Sequence, residues 1–325
     1  MDNNAKLRPL YLAKILYERT DEDHYLTTMQ LAQILEEEYG IPAHRQTIKT
    51  DIELLQQFGM DIQEVKSTQN RYNLISRQFE IAELKLLIDA VQSSKFISKE
   101  RSEQMVSKIV TLAGQHKAEE LKRNASVEGR VKSENRQDLL IVDAINEAIN
   151  ARKKIAFQYF AYNIRKQKKL RHDGERYIFS PYRLIWNGDY YYVLGYSDKH
   201  QAIGSFRVDR ISARPDILSE EAVPVPADFG VDDFLATTFR MYGSECQEVE
   251  LICDNSVIDA IIDRFGTDVT IYACDMSTFR VIVRVAASHI FFSWIFGFGG
   301  KVRIKGPEEI KTDYKEMVSR ALSSL

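Results

Sequence analysis

The stretch that most limits what this chain can become is PYRLIWNGDYYYVLGYSDKHQAIGSFRVDRI, residues 181–211. Asn187-Gly188 stands between two apolar and aromatic runs, and Asn-Gly supplies the two positive φ angles of a tight type I′ hairpin. The arm over residues 190–196 is almost wholly strand-forming. After a polar turn at 197–201, a third antiparallel strand is expected over 203–208. Alternation along it places Ser205, Arg207 and Asp209 on one face and Phe206, Val208 and Arg210 on the other. Each face then carries a guanidinium beside a strand bearing Tyr191, Tyr192 and Tyr196, a surface suited to something anionic and flat.

Charge supports that reading. The formal net charge is −3, but residues 151–215 carry 14 basic side chains against 5 acidic ones, while 216–325 carry 10 against 18 and 1–75 carry 8 against 12. A +9 segment inside an acidic protein favours an anionic ligand at that segment. The segment begins with an expected strand over 154–160, alternating Ile155, Phe157 and Tyr159 against Ala156, Gln158 and Phe160, and its dense run Arg165–Arg171 (RKQKKLR) leads into His172-Asp173-Gly174, which reads as a hairpin tip.

Upstream, Thr27 and Gln30 form a T-x-x-Q capping box, and Leu26 can staple onto Leu31. A helix is therefore expected from Thr28 to about Tyr39, ended by Gly40. A shorter helix precedes it over 9–18. The next helix, over 45–58, has Ile48, Ile52 and Leu55 facing inward and offers Arg45, Gln46, Lys49 and Thr50 on its opposite face. That is what a helix entering the DNA major groove requires. Residues 61–74 read as a two-stranded wing, with Ile62 and Val65 on one arm, Tyr72 and Leu74 on the other, and Lys66 and Arg71 near the tip. Helices are expected over 79–123, with apolar stripes at Ile81, Leu84, Leu87, Ile88 and Val91 and at Met105, Ile109 and Leu112. Such stripes bury against a partner helix within the chain or across a dimer. A polar linker over 124–136 and a helix over 138–150, with Leu140, Ala144, Ile145, Ala148 and Ile149 inward, lead into the basic segment.

Cys246, Cys253 and Cys274 form no C-x-x-C pair, and the six histidines show no ligand spacing, so no metal and no cofactor are expected. The longest apolar run, 290–298, is far short of the roughly 20 residues a membrane span needs, and no signal segment opens the sequence. A cytoplasmic protein without membrane association is the expectation. No nucleophile motif, P-loop or paired carboxylate appears, which argues against a nucleic-acid-processing enzyme.

Pro181, Leu184, Tyr191-Tyr192-Val193, Gly195-Tyr196 and Phe206-Arg207-Val208-Asp209-Arg210-Ile211 together resemble the WYL domain, a small Sm/SH3-like β-barrel that bacterial transcription regulators use as a sensor. Tyr191 stands where the eponymous tryptophan usually is, and Gly204 where the family often has another arginine. The N-terminal pattern YGI-x5-TI-x2-DI-x2-L resembles the DeoR/HTH-11 type domain that precedes such barrels. Trp294 and Gly299, ahead of residues 302–307, resemble the C-terminal extension that follows them. The order of elements beyond residue 245, βαββαβ and a final helix, is ferredoxin-like.

The expected fold is thus α+β multidomain. A winged helix-turn-helix occupies 1–75, a helical linker 76–137, the WYL barrel 138–218, a connector 219–244 and a ferredoxin-like domain 245–325. The expected function is a homodimeric transcription regulator that binds a double-stranded DNA operator. Arg45, Gln46, Lys49, Thr50, Lys66 and Arg71 would contact the DNA. The barrel would take single-stranded nucleic acid or a nucleotide second messenger through Arg207, Arg210, Tyr159, Tyr192, Tyr191 and Ser205. Two alternatives stay open. The protein could be a single-strand or RNA binder with the barrel as its effector end. The tyrosines could also be core, with Arg207 or Arg210 merely paired to Asp209 or to an acid of another domain.

Overall fold

The computed structural model describes residues 3–66, 68–123, 132, 137–227, 229–230 and 246–324. Most of the 124–136 linker and the 231–244 part of the connector lie outside them. The chain divides into two compact units, Met1–Arg136 and Gln137–Leu325.

In the first unit, α1 (Asn3–Arg19), α2 (Thr28–Tyr39) and α3 (Arg45–Gln57) pack with a three-stranded antiparallel sheet of order β1-β3-β2, made of β1 (Leu26–Thr27), β2 (Ile62–Val65) and β3 (Arg71–Leu74). The Thr27 side chain accepts from the Gln30 N–H while the Gln30 side chain accepts from the Thr27 N–H. Both partners of the expected capping box are therefore present. Leu12, Ile15, Leu16, Leu31, Leu35, Ile48, Ile52, Leu55, Ile62, Tyr72 and Leu74 close one core, so α3 and the wing are fixed by the same apolar contacts. Val65, on the same arm of the wing as buried Ile62, is exposed at the far end of β2.

The helices α4 (Ile81–Ser93), α5 (Lys99–Val110) and α6 (Gln115–Arg123) form a second cluster in this unit around Leu84, Ile88, Val110, Ala113, Ala118 and Leu121. Leu87 of the first expected stripe is exposed. The second stripe is rotated, so that Ser102 and Val110 take the buried positions while Met105, Ile109 and Leu112 are only partly covered. The stripes are thus largely answered within the chain. Arg77 joins the two clusters, its guanidinium donating to the Tyr17 and Thr20 carbonyl oxygens at 2.7 Å each and lying over the Tyr17 ring.

The second unit opens with α7 (Asp138–Ala151), whose Ile141, Ala144, Ile145 and Ala148 are buried, while Leu140 turns outward. This helix packs on β4 (Lys153–Phe157) and β7 (Tyr177–Asn187) of a five-stranded antiparallel sheet. That sheet is completed by β8 (Tyr190–Ser197), β9 (Ala202–Arg207) and β10 (Asp216–Glu221), in the order β10-β4-β7-β8-β9. A separate hairpin pairs β5 (Phe160–Tyr162) with β6 (Lys168–Leu170).

Three expectations are corrected here. The β7–β8 turn is shifted by one residue, because Asn187 pairs with Tyr190 and leaves Gly188-Asp189 as the loop. Only Gly188 has a positive φ, +60°, which is the glycine-first pattern of a type II′ turn and not the Asn-Gly type I′. Strand β9 stops at Arg207, since Val208–Arg210 wind into a 3₁₀ turn, and β4 stops at Phe157. With both chains leaving the sheet early, no ladder among the described residues joins β9 to β10, and the expected closed barrel is an open sheet supplemented by a single bridge between Tyr159 and Ile211. His172-Asp173-Gly174 is a left-handed corner between β6 and β7, not a hairpin tip. Gly195 earns its place by close approach, because a Cβ there would meet the Ser180 carbonyl oxygen at 2.2 Å and the Phe179 ring at 2.6 Å.

Beyond the connector, β11 (Cys246–Asp254), α8 (Ile258–Phe265), β12 (Ile271–Ala273), β13 (Thr278–Ala286), α9 (His289–Phe296), β14 (Val302–Gly306) and α10 (Glu308–Leu322) follow the expected order. The sheet order is β12-β13-β11-β14, antiparallel throughout. Inward residues Val249, Leu251, Cys253, Val281, Val283, Val285 and Val302 meet Ile261, Phe291, Ile295 and Ile310 of the helices. Burial pushes the Cys253 thiol up to about 11, so it stays protonated and behaves as a small apolar group. Trp294 packs partly buried against this core, edge-on to Phe265 and Phe298.

Candidate functional site

Helix α3 begins after His44 with no side-chain cap and no acid in its first turn, which leaves its N-terminal N–H groups available to an anion. Arg45, Gln46 and Thr50 are exposed, and Lys49 is half-buried at 3.9 Å from Glu53. The Thr50 hydroxyl donates to the Gln46 carbonyl oxygen. Arg45 makes no ion pair among the described residues. On the other side of the helix, buried Asp51 pairs with Arg8 of α1, a tertiary anchor that helical periodicity does not reveal. Lys66 is exposed just past β2, and Arg71 lies over the Tyr25 ring at 4.3 Å.

At the end of β9, Arg207 is engaged on every side. Its Nε and Nη2 donate to the two Asp209 carboxylate oxygens at 3.1 and 2.7 Å, its guanidinium lies 3.4 Å from the Tyr190 ring centroid, and its backbone N–H donates to the Tyr159 hydroxyl. Burial works against the charge, but the hydrogen bonds and charge of Asp209 outweigh it and hold the guanidinium above its ordinary pKa. Tyr159 and Tyr192 are buried, and burial pushes the Tyr159 phenol up to about 12. Tyr159 packs edge-on against Tyr177 and Phe206. Tyr191 is on the other face of β8, beside Trp186, and Ser205 is half-buried opposite Leu194.

Arg210 differs. It is 4.0 Å from Asp209, too far for a strong bond, and its guanidinium lies 4.7 Å from the Tyr162 ring centroid. Tyr162 lines an open surface pocket of about 390 Å³ formed by the β5–β6 hairpin and the corner after it, lined also by Asn163, Lys169, Arg171, His172 and Asp173, all exposed. Arg171 covers the Tyr159 ring, and Lys169 makes no ion pair among the described residues. The structure therefore joins Arg210 to the basic run, through Tyr162, and keeps Tyr159 and Tyr192 in the interior.

Tyr190 and Tyr162 were not among the expected ring contacts. The first was reachable from hairpin register, since Arg207 sits opposite Tyr192 and a diagonal neighbour two residues along is within reach of a long side chain. The second depends on the separate β5–β6 hairpin, which a continuous strand over 154–160 does not suggest. Gly204 has open space where a Cβ would stand, so the absent arginine is a loss of charge and not a steric exclusion. No group of side chains among the described residues could hold a metal ion, and no helix among them is long and apolar enough to cross a membrane.

Comparison with known proteins assigns the two halves of the second unit. The WYL domain model matches residues 141–214, and the WCX domain model matches residues 245–322. No curated protein matches. Among solved structures, the chain is similar to proteasome accessory factor B/C (PafBC) of Arthrobacter aurescens at 17% identity and a TM-score of 0.30. That alignment covers 95% of this chain and 45% of the other, so this chain spans less than half of PafBC. It is also similar to a CRISPR Cas-related protein at 14% identity and a TM-score of 0.37, over 99% of this chain and 84% of that one. The arginine-bearing strand and its aromatic neighbours thus fall in a WYL domain, and the four-stranded antiparallel sheet that follows falls in a WCX domain.

Proposed function

We propose that the protein is a cytoplasmic transcription regulator whose winged helix-turn-helix binds a DNA operator and whose WYL domain senses an anionic, planar ligand. The ligand class is single-stranded nucleic acid or a nucleotide second messenger. The observation that carries the ligand half is the basic pocket at Tyr162, Lys169, Arg171 and His172 with Arg210 stacked on its rim. Its volume falls within the range of small-molecule sites, and it offers both cations for phosphate and a ring for a base. Arg207 serves this site by position, holding Asp209 and the end of β9 in place.

The DNA half is supported by α3, whose uncapped N-terminus and outward Arg45, Gln46, Lys49 and Thr50 have the composition of a groove-reading surface. A homodimer reading two half-sites is the arrangement that best suits such a helix. Light scattering on the full chain, alone and with duplex DNA, tests that stoichiometry, and a monomer in both conditions refutes it.

The ligand is tested by calorimetry on the full chain with short single-stranded oligonucleotides and cyclic dinucleotides. Binding that weakens steeply with salt, and that drops at least tenfold in Arg210→Ala or Tyr162→Ala, is the expected result. Binding indifferent to both substitutions, or absent for every probe, rejects the reading.

A further inference from the structure

The WCX sheet has one face sealed by helices and one left open. On the open face, register aligns Tyr272, Arg280, Ile252 and Arg303 in a single row across all four strands, β12-β13-β11-β14. Tyr272 is 46% exposed, and the Arg280 guanidinium lies 4.6 Å from its ring centroid. Arg284, two positions beyond Arg280 on the same face of β13 with Ile282 between them, and Arg303 are both exposed and make no ion pair among the described residues. Arg280 and Lys305 share one carboxylate, Glu250, at 3.1 Å each, which leaves the pair with a surplus positive charge.

This distribution runs against the rest of the domain. Residues 246–325 hold 11 acidic side chains against 9 basic ones, whereas the open face sets Arg280, Arg284, Arg303 and Lys305 against Glu248, Glu250 and Asp254. A domain that is acidic as a whole but carries a small net positive charge on its one uncovered sheet face favours an anion there. A flat protein partner would find little apolar area, since only Ile252 and Ile282 interrupt the charges. An extended chain of phosphates with bases free to stack finds more. Four strands at roughly 4.8 Å spacing put Arg280 and Arg303 about 10 Å apart, bracketing a strand-wide track with a stacking ring at its edge.

We infer that the open face of the WCX sheet is a binding site for single-stranded nucleic acid, with Arg284 and Arg303 contacting phosphates and Tyr272, backed by Arg280, stacking a base. The site is built from residues separate from those of the WYL pocket and does not depend on that pocket being occupied.

The test uses the full chain and a fluorescein-labelled 12-nucleotide oligo(dT), measured in the native protein and in an Arg210→Ala/Tyr162→Ala background that disables the WYL pocket. Anisotropy should report residual, salt-sensitive binding in that background, lost at least tenfold on adding Arg284→Ala/Arg303→Ala and largely kept in Arg284→Lys/Arg303→Lys. Photo-cross-linking with 4-thiothymidine in the oligonucleotide should label the peptide containing Tyr272. The arginines are exposed, and circular dichroism should show both variants folded. Residual binding that is absent, or that ignores the Arg284→Ala/Arg303→Ala pair, overturns the inference even if the WYL pocket binds the oligonucleotide. A self-associated protein that dissociates on Arg284→Ala/Arg303→Ala while binding no oligonucleotide also overturns it, and assigns the face to a second copy.

Discussion

On α3 the two outward cations, Arg45 and Lys49, make among the described residues only a long contact from Lys49 to Glu53, whereas at the end of β9 Arg207 is gripped by Asp209 and pressed against Tyr190. The same residue class thus does two jobs. On the helix, charge is held outward by the geometry of the helix itself and is available to a partner. On the strand, charge is consumed in fixing a 3₁₀ turn, and the less engaged cation is its neighbour Arg210. An arginine's availability is decided by the acid and ring beside it, not by its presence on a basic segment.

The sharpest way to break this comparison is to remove Arg207. Asp209 is buried, and without the Arg207 guanidinium it keeps only the distant Arg210 cation at 4.0 Å, so Arg207→Ala should destabilise the WYL domain by about 3 kcal/mol. Asp209→Ala should also destabilise, and the double substitution should cost less than the two singles summed. Urea unfolding in a Trp294→Phe background, where Trp186 alone reports, measures this directly. An Arg207→Ala protein as stable as the parent would mean that Arg207 is as free as the α3 cations.

Tyr159 gives the next largest effect, through pH. Burial, opposed in part by the Arg207 N–H, pushes its phenol up to about 12, against an ordinary value near 10. The fold therefore favours the neutral phenol. The resulting contribution, about 2–3 kcal/mol, is fully present below pH 10 and lost as pH rises from about 10 to 12. Burial also raises Tyr177, Tyr182 and Tyr314, so the comparison is with Tyr159→Phe. That variant should lose about 1 kcal/mol at neutral pH with the hydrogen bond and show a shallower fall in urea stability through the alkaline range. Equal slopes for the two proteins would place Tyr159 in contact with water.

These two regions also differ in how far the sequence discloses them. The α2 boundaries follow from local chemistry, because Thr27, Gln30 and Gly40 act on backbone groups within a few residues of themselves. Substituting Thr27→Ala removes one half of the box and should cost about 1 kcal/mol in the first unit while leaving the WYL transition unmoved. The strand region is less legible because its outcomes depend on partners far along the chain. Asn187-Gly188 marks a hairpin, but pairing of Asn187 with Tyr190 sets which two residues form the turn. Arg207, Val208 and Asp209 alternate like a strand, yet the Asp209 carboxylate turns back to Arg207 and the chain winds into a 3₁₀ turn. Asp209 was visible as a rival partner for Arg207. The β5–β6 hairpin that brings Tyr162 to Arg210 was not, because a run of alternating apolar and aromatic residues over 154–160 gives no sign that the strand breaks at Gln158.

The smallest stability effect is expected on α3, and it completes the contrast. Arg45 makes no ion pair among the described residues, and the Lys49–Glu53 contact is an exposed i,i+4 pair of at most a few tenths of a kcal/mol. Arg45→Ala/Lys49→Ala should therefore leave urea stability within about 0.5 kcal/mol of the parent, where Arg207→Ala does not. Its effect belongs to binding. If Lys49 meets phosphate, loss of the side chain weakens all duplex sequences alike and flattens the salt dependence. If Arg45 reads a base edge, discrimination at one position relaxes by about 1–3 kcal/mol. Selection of duplexes from a random pool, followed by titration of parent and variant at two salt concentrations, separates the two roles. A folded variant with unchanged duplex affinity would remove α3 from the DNA-reading face and leave its cations as solvated charge.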